Sequence, residues 1–293
     1  MSQEFFKSVE DRYSDRNFKE KWDQKCNTFF DNFIYLNSEV LIEDQVQKLT
    51  HVGIKSISNS GIIIQEITSE NLDMMQDQLG SVIKDIATLS GKFDVLEKAI
   101  KARTGFFSSR TPTQVFFETF KKEELIIRQQ INELNLKGHL LEDVKKNLEH
   151  NIEQLIDCYV LLERDLHLIK QAEEKLGSSD KALVAKLFNK NLFDITNIKS
   201  DLLTHQQILF QKFAGVKILL QNVLNCHKNI NYISRVTYSA VMNVVELQQI
   251  IALGQSNLDK KQTQALIKAK ETLLLVTTDL KIVAATPFAI HAT

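Results

Sequence analysis

Residues that interrupt helices are scarce in this chain of 293 amino acids, which has two prolines and nine glycines. Soluble proteins average about 5% proline and about 7% glycine. Proline removes a main-chain donor and clashes with the preceding turn, and glycine weakens a helix interior. The chain also has no regular alternation of apolar and polar residues between turn clusters, which is the strand signal. These absences predict an all-α protein with long uninterrupted helices.

Cysteines and long apolar runs are also few. Cys26, Cys158 and Cys226 lie far apart and form no CxxC pair, which is typical of a reducing compartment and not of a disulfide framework. The N-terminal stretch is highly charged and lacks the apolar core of a signal peptide, and no run of 18 apolar residues occurs. We therefore expect a cytoplasmic protein without stable membrane insertion.

Charge of one sign and catalytic motifs are missing as well. The 36 basic and 37 acidic residues are interspersed and give a formal net charge of −1, which does not provide the basic surface of a nucleic-acid-binding protein. The sequence contains no GxxxxGK[ST], GxGxxG, GxSxG or HExxH motif. We therefore expect no enzymatic activity, no cofactor and no nucleic-acid partner.

Two long apolar stripes are the main positive signal. In each stripe every step between successive apolar residues is three, four or seven positions, the spacing of helices packed as in a coiled coil. The first stripe comprises Ile127, Ile131, Leu134, Leu141, Val144, Leu148, Ile152, Leu155, Tyr159, Leu162, Leu166 and Ile169. The second comprises Leu209, Phe213, Val216, Leu220, Val223, Ile230, Ile233, Ala240, Val244, Leu247 and Ile251.

A short polar connection separates the two stripes, so they are expected to form an antiparallel hairpin. The predicted fold is an elongated helical bundle built on this long coiled-coil-like hairpin, with the N-terminal helices docked at its base. An aromatic stripe that begins at Phe18 and Trp22 favours a docked helix, with a partner-binding or membrane-surface helix as the alternative. The expected segments are a flexible N-terminus (1–15), an N-terminal helical region (16–104), a loop (105–115), the hairpin with a bend near 177–194 (116–255), and a C-terminal helix and tail (256–293).

Two local features carry more specific expectations. The glycines, serines and asparagine between Gly53 and Gly61 predict a turn or break within residues 42–65. His227 falls on the second apolar stripe and, with a bend near residue 187, would face residues 147–150. We interpret it as a polar residue that sets the helix register; a metal site with a neighbouring cysteine is the alternative.

The loop "RTGFFSSRTPTQVFF" (103–117) separates two helical regions and contains four phenylalanines. Phe116 and Phe117 begin the long helix and are expected to pack where the N-terminal helices dock. Phe106 and Phe107 form either a hydrophobic latch on the same core or an exposed contact for a partner protein. The latch is favoured, because exposed aromatic pairs reduce solubility unless they are used. These four residues are the candidate partner contacts.

The order of these elements resembles the TelA-like toxic anion (tellurite) resistance family over roughly residues 75–275. The resemblance rests on the Phe/Gly loop at Gly105, on "LLTHQQILFQ" (202–211), on "LLQN" (219–222) and on the closing "VELQQIIALG" (245–254). The closing pattern keeps Gln248, Ala252, Leu253 and Gly254 of the family pattern. It departs from that pattern at Val245 and Glu246, and His205 stands where the family usually has arginine.

The resemblance implies a cytoplasmic bacterial protein linked to resistance to tellurite and other toxic anions, without a known active site. We therefore expect a non-enzymatic stress-response protein that acts by helix-mediated association with protein partners that the sequence does not identify. Two alternatives stay open. One is an α-helical membrane-active protein of the pore-forming type, although such proteins normally hide a longer apolar hairpin than the bend segment provides. The other is a bacterial effector or scaffold protein.

Overall fold

The described part of the chain, in a computed structural model, comprises residues 2–14, 16–34, 39–67, 69–102, 111–177, 182–252 and 259–289. Within these ranges every regular element is an α-helix and there is no strand, which confirms the all-α prediction. In chain order the helices are α1 (Ser2–Ser14), α2 (Arg16–Ile34), α3 (Glu39–Glu66), α4 (Ser69–Lys101), α5 (Pro112–Gly177), α6 (Ala182–Lys190), α7 (Leu192–Ala252) and α8 (Lys260–Ala285).

The two predicted apolar stripes form the core of the two longest helices. Of the residues named above, all on α5 except Tyr159 are buried, and all on α7 except Ile251 are buried. A continuous stripe on a helix of 66 or 61 residues must be covered along its whole length by other apolar surface. Together α5 and α7 contribute to two compact units.

The first unit comprises residues 1–72 and 148–218. Here α5 and α7 run antiparallel, because Lys199 Nζ lies 2.6 Å from Glu173 Oε2 while Gln206, further along α7, bonds to Glu163, further back along α5. Helix α3 packs against α6 and α1 packs against α2. The first three helices thus belong to the half of the hairpin that contains its connection.

Helix α1 occupies residues that were expected to be flexible. Phe5 and Val9, one turn apart, are buried, and the Phe5 ring lies 4.9 Å from Tyr159 and 4.6 Å from Phe213, measured between ring centroids. Lys217 Nζ pairs with Glu4 Oε1 at 2.8 Å. The segment is polar on average, but two apolar residues at helical spacing are enough to dock it on an aromatic cluster.

Helix α3 is continuous through residues 42–65, so the predicted break was wrong. The reason lies in the packing around Gly53, which is buried against α5 and α7: a Cβ atom at this position would overlap the Cγ2 atom of Ile198 and touch Ile169 at 3.6 Å. Glycine serves here for close helix packing and not for a turn. Near Gly61, in the same helix, no described atom beyond the adjoining main chain of α3 lies within 4 Å of such a Cβ.

The second unit comprises residues 73–147 and 219–293. The two long helices again run antiparallel, with His227 Nδ1 lying 3.7 Å from Glu142 Oε2 and Gln248 bonding to the Phe117 carbonyl. Helix α4 is tied to α5 by Lys92–Glu123 at 3.0 Å and by Lys137–Asp85 at 2.5 Å. Helix α8 begins with a capping box between Asp259 and Gln262.

Substitution of the two α3 glycines tests the packing explanation. We expect Gly53→Ala to lower the free energy of unfolding by about 1 kcal/mol, because an overpacking cost of roughly 1–3 kcal/mol exceeds the gain of about 1 kcal/mol in helix propensity. The matched variant Gly61→Ala meets no neighbour and should raise stability by up to about 1 kcal/mol. Urea unfolding measures both. Equal stabilisation by the two variants would contradict the close contact at Gly53.

Candidate functional site

The start of α5 is built by a local capping arrangement. The Thr111 main-chain N–H donates to Gln114 Oε1 at 2.9 Å, and the Gln114 N–H donates to Thr111 Oγ1 at 3.2 Å. Pro112 occupies the first helical position, where its missing N–H costs nothing. Pro112 was expected in the loop (105–115), but it starts the helix. The helix therefore begins four residues before Phe116 and fixes the direction of both phenylalanines.

The structure separates the four candidate contact residues. Phe116 is fully buried, with its ring centroid 6.1 Å from that of Phe120 and with Lys270 Nζ 4.9 Å above its face. Burial lowers the pKa of the Lys270 ammonium. Phe117 is half-buried and lines a groove. Phe106 and Phe107 lie outside the described residues, so their role stays a prediction.

We call this groove the base groove; it lies between the first turns of α5 and the last turns of α7. Its volume is about 630 Å³. The lining residues are Phe117, Glu118, Lys121, Glu124, Arg128, Val245, Gln248, Gln249 and Ile251. The Gln248 side chain donates to the Phe117 carbonyl at 3.4 Å and joins the two helices along the groove. Glu124 and Arg128 pair with each other at 2.8 Å.

His227 lies elsewhere in this unit and is not part of the base groove. Its side chain is 28% exposed and faces Glu142, with Gly138 beneath its ring, and not residues 147–150. The connection explains the difference: the midpoint between Gly177 and Leu192 falls at residues 184–185, two or three before the assumed pivot. In an antiparallel hairpin, moving the midpoint of the bend by two or three residues moves the position opposite His227 by about twice that number. The proposed role of His227 in setting the register stays a prediction.

A buried polar cluster in the first unit was not found from the sequence. Asp165 is 1% exposed. Its Oδ2 accepts a short hydrogen bond from Ser56, and its Oδ1 accepts from Arg164 Nε at 2.8 Å and Nη2 at 2.7 Å. The cluster borders a cleft of about 510 Å³ that Trp22 and Cys26 also line. Both carboxylate oxygens already have partners, so Asp165 offers the cleft no free base.

A serine–histidine contact lies nearby but does not have the geometry of a catalytic triad. Ser60 is fully buried; its hydroxyl donates to the Ile57 carbonyl at 2.8 Å and lies 2.6 Å from His205 Nδ1. A hydroxyl has one proton, so Ser60 cannot donate to the Ile57 carbonyl and to His205 at the same time. No described carboxylate bonds to His205. The contact joins α3 to α7 and does not activate a nucleophile.

The three cysteines are buried free thiols. Burial raises the pKa of Cys226 to about 12 and, with a smaller contribution from Asp157, that of Cys158 to about 11. The pKa of Cys26 is also raised, first by burial and then by Asp23. Thiolates are the reactive form, so these protonated thiols are poor nucleophiles at neutral pH. Among the described residues, no group of three or more His, Cys, Asp or Glu side chains is placed to hold a metal ion.

Comparison of the chain with protein-family models, with curated proteins and with solved structures finds no match. The family resemblance described from the sequence therefore stays a prediction. None of the described helices combines the length and the hydropathy needed to cross a bilayer.

Removal of the Asp165 charge tests the polar cluster. We expect Asp165→Asn to lower the free energy of unfolding by about 3 kcal/mol, because it leaves the largely buried Arg164 guanidinium without its anion. The matched variant Asp157→Asn, on the same helix, removes an exposed carboxylate that pairs with Arg12 at 3.0 Å and should cost less than about 1 kcal/mol. Urea unfolding compares them, and equal losses would contradict a structural role for Asp165.

Proposed function

We propose that this protein is a non-enzymatic helical protein that binds a partner protein through the base groove, and that it serves in resistance to toxic anions such as tellurite. The observation that supports association is the base groove itself. The resistance role rests only on the resemblance of the sequence to the TelA-like family. The two parts are therefore tested separately.

The shape of the base groove favours a helix as the bound segment. The lining residues of α5 extend from Phe117 to Arg128, a length of roughly 16 Å at 1.5 Å per residue. Ridges of two adjacent antiparallel helices leave a channel into which a third helix packs, and apolar anchors at i, i+3, i+4 and i+7 are how an amphipathic helix occupies such a channel. Phe117, Val245 and Ile251 supply the apolar surface.

The charges at the rim define the chemistry of the partner further. Glu124 and Arg128 satisfy each other, whereas Lys121 is exposed and has no hydrogen bond or ion pair among the described residues. An acidic residue on the bound helix would complement this free cation. The proposed partner is thus a protein with an amphipathic helix that carries an apolar face and an acidic residue beside it.

Site-specific photocrosslinking tests the association. With benzoylphenylalanine at position 117 in the native host, we expect one predominant adduct with another protein. Lys121→Glu should reduce its yield severalfold, because the acidic helix would then meet a like charge. The matched variant Lys122→Glu carries the same change one residue further on, outside the groove lining, and should leave the yield unchanged. The proposal would be refuted if neither substitution changed the yield of the adduct, or if no adduct formed at all.

The same variants test the resistance role. A deletion strain complemented with wild type or with Lys122→Glu should grow on graded tellurite, and one complemented with Lys121→Glu should not. If the deletion causes no sensitivity, the resistance role is wrong, while the crosslinking result still decides the association. The circular dichroism melting of both variants should match that of wild type.

A further inference from the structure

Two buried asparagines on α7 bond to the chain beyond α8. Asn225 and Asn229 are 8% and 3% exposed and lie one turn apart on the same face. Asn225 Nδ2 donates to the Phe288 carbonyl at 2.6 Å. Asn229 Nδ2 donates to the Pro287 carbonyl at 2.9 Å and to the Ala289 carbonyl at 3.0 Å. Three consecutive main-chain carbonyls thus converge on two side-chain amides.

The bonded segment is a tight turn that we call the C-terminal turn, residues 286–289. The Ala289 N–H donates to the Thr286 carbonyl at 3.1 Å, and the Thr286 N–H donates back to Ile282 of α8 at 2.9 Å. Pro287 stands at the second position, which its fixed φ favours. Because the internal bond uses only the Thr286 carbonyl, the next three carbonyls remain available to an outside donor.

A neighbouring side chain orients Asn225 towards the turn. Gln221, one turn before Asn225, donates its Nε2 to Asn225 Oδ1 at 2.9 Å. This bond occupies the oxygen of the Asn225 carboxamide and directs its NH₂ group to the turn. The described hydrogen bonds from α7 to the turn all reach main-chain atoms, and the Phe288 side chain is 38% exposed. The contact therefore recognises the backbone of a turn more than its side chains.

We propose that Asn225 and Asn229 form a binding site for a peptide turn, and that the C-terminal turn of the same chain occupies this site reversibly as a clasp. The net gain from three hydrogen bonds does not exceed the conformational entropy lost when four residues are ordered. These bonds alone therefore do not hold the turn permanently in place, and the same peptide supplied in trans competes with the clasp.

Electron paramagnetic resonance on the full chain tests the clasp. A nitroxide attached through Ala289→Cys reports the mobility of the turn, and the native thiols are buried and protonated. We expect an immobilised spectrum that becomes mobile in Asn225→Ala/Asn229→Ala. Asn231→Ala, an exposed asparagine on α7 that faces His227, is the matched control and should leave the spectrum unchanged. A mobile label in the otherwise wild-type chain, or an immobile one in the double variant, would overturn the clasp.

A competition experiment tests reversibility without altering the asparagines, which matters if the double variant unfolds. The probe is a synthetic peptide of residues 284–293 added to the labelled chain. We expect saturable conversion of most of the immobilised component into the mobile one, and weaker conversion by the same peptide with glycine in place of Pro287. No conversion at saturating peptide would show a fixed structural contact and refute the exchangeable site.

Discussion

The antiparallel seam of α5 and α7 is the constraint on which the other elements depend. Each helix carries a buried stripe far longer than a single amphipathic helix of average length, and in both units this stripe meets its counterpart on the other helix. The shorter helices pack apolar residues on the parts of α5 and α7 that these two helices do not cover on each other. Phe5 of α1, for example, packs against Tyr159 and Phe213. The base groove is a place where the same two helices leave a channel.

What the sequence predicts correctly is what depends on local spacing. The apolar positions of α5 and α7 follow from a period of three and four residues. The polar composition of α1 conceals Phe5 and Val9, which are buried. The local cluster of glycines, serines and asparagine wrongly indicated a break in α3, because Gly53 packs against Ile198, a residue 145 positions later, which no local pattern can indicate.

The polar contacts could not be predicted for the same reason. Asp165 stands beside Leu166 of the apolar stripe, but Glu133 and Asp143 stand beside Leu134 and Val144 in the same way and are exposed, so its position in the sequence does not indicate burial. Its bonds to Ser56 and Arg164, and those of Asn225 and Asn229 to the C-terminal turn, join residues brought together only by the fold. The base groove likewise combines Phe117 with Val245, which only the pairing of the long helices places side by side.

Thiol crosslinking of paired cysteine substitutions tests the register of the seam most directly. In the first unit, the pairs Glu163→Cys/Gln206→Cys and Glu173→Cys/Lys199→Cys replace residues that bond to each other. The exchanged pairs Glu163→Cys/Lys199→Cys and Glu173→Cys/Gln206→Cys use the same positions, displaced along the helices by roughly 10–15 Å. A short bifunctional thiol reagent should crosslink the first two pairs rapidly and the exchanged pairs hardly at all. Equal yields from all four, or preference for an exchanged pair, would contradict the antiparallel register.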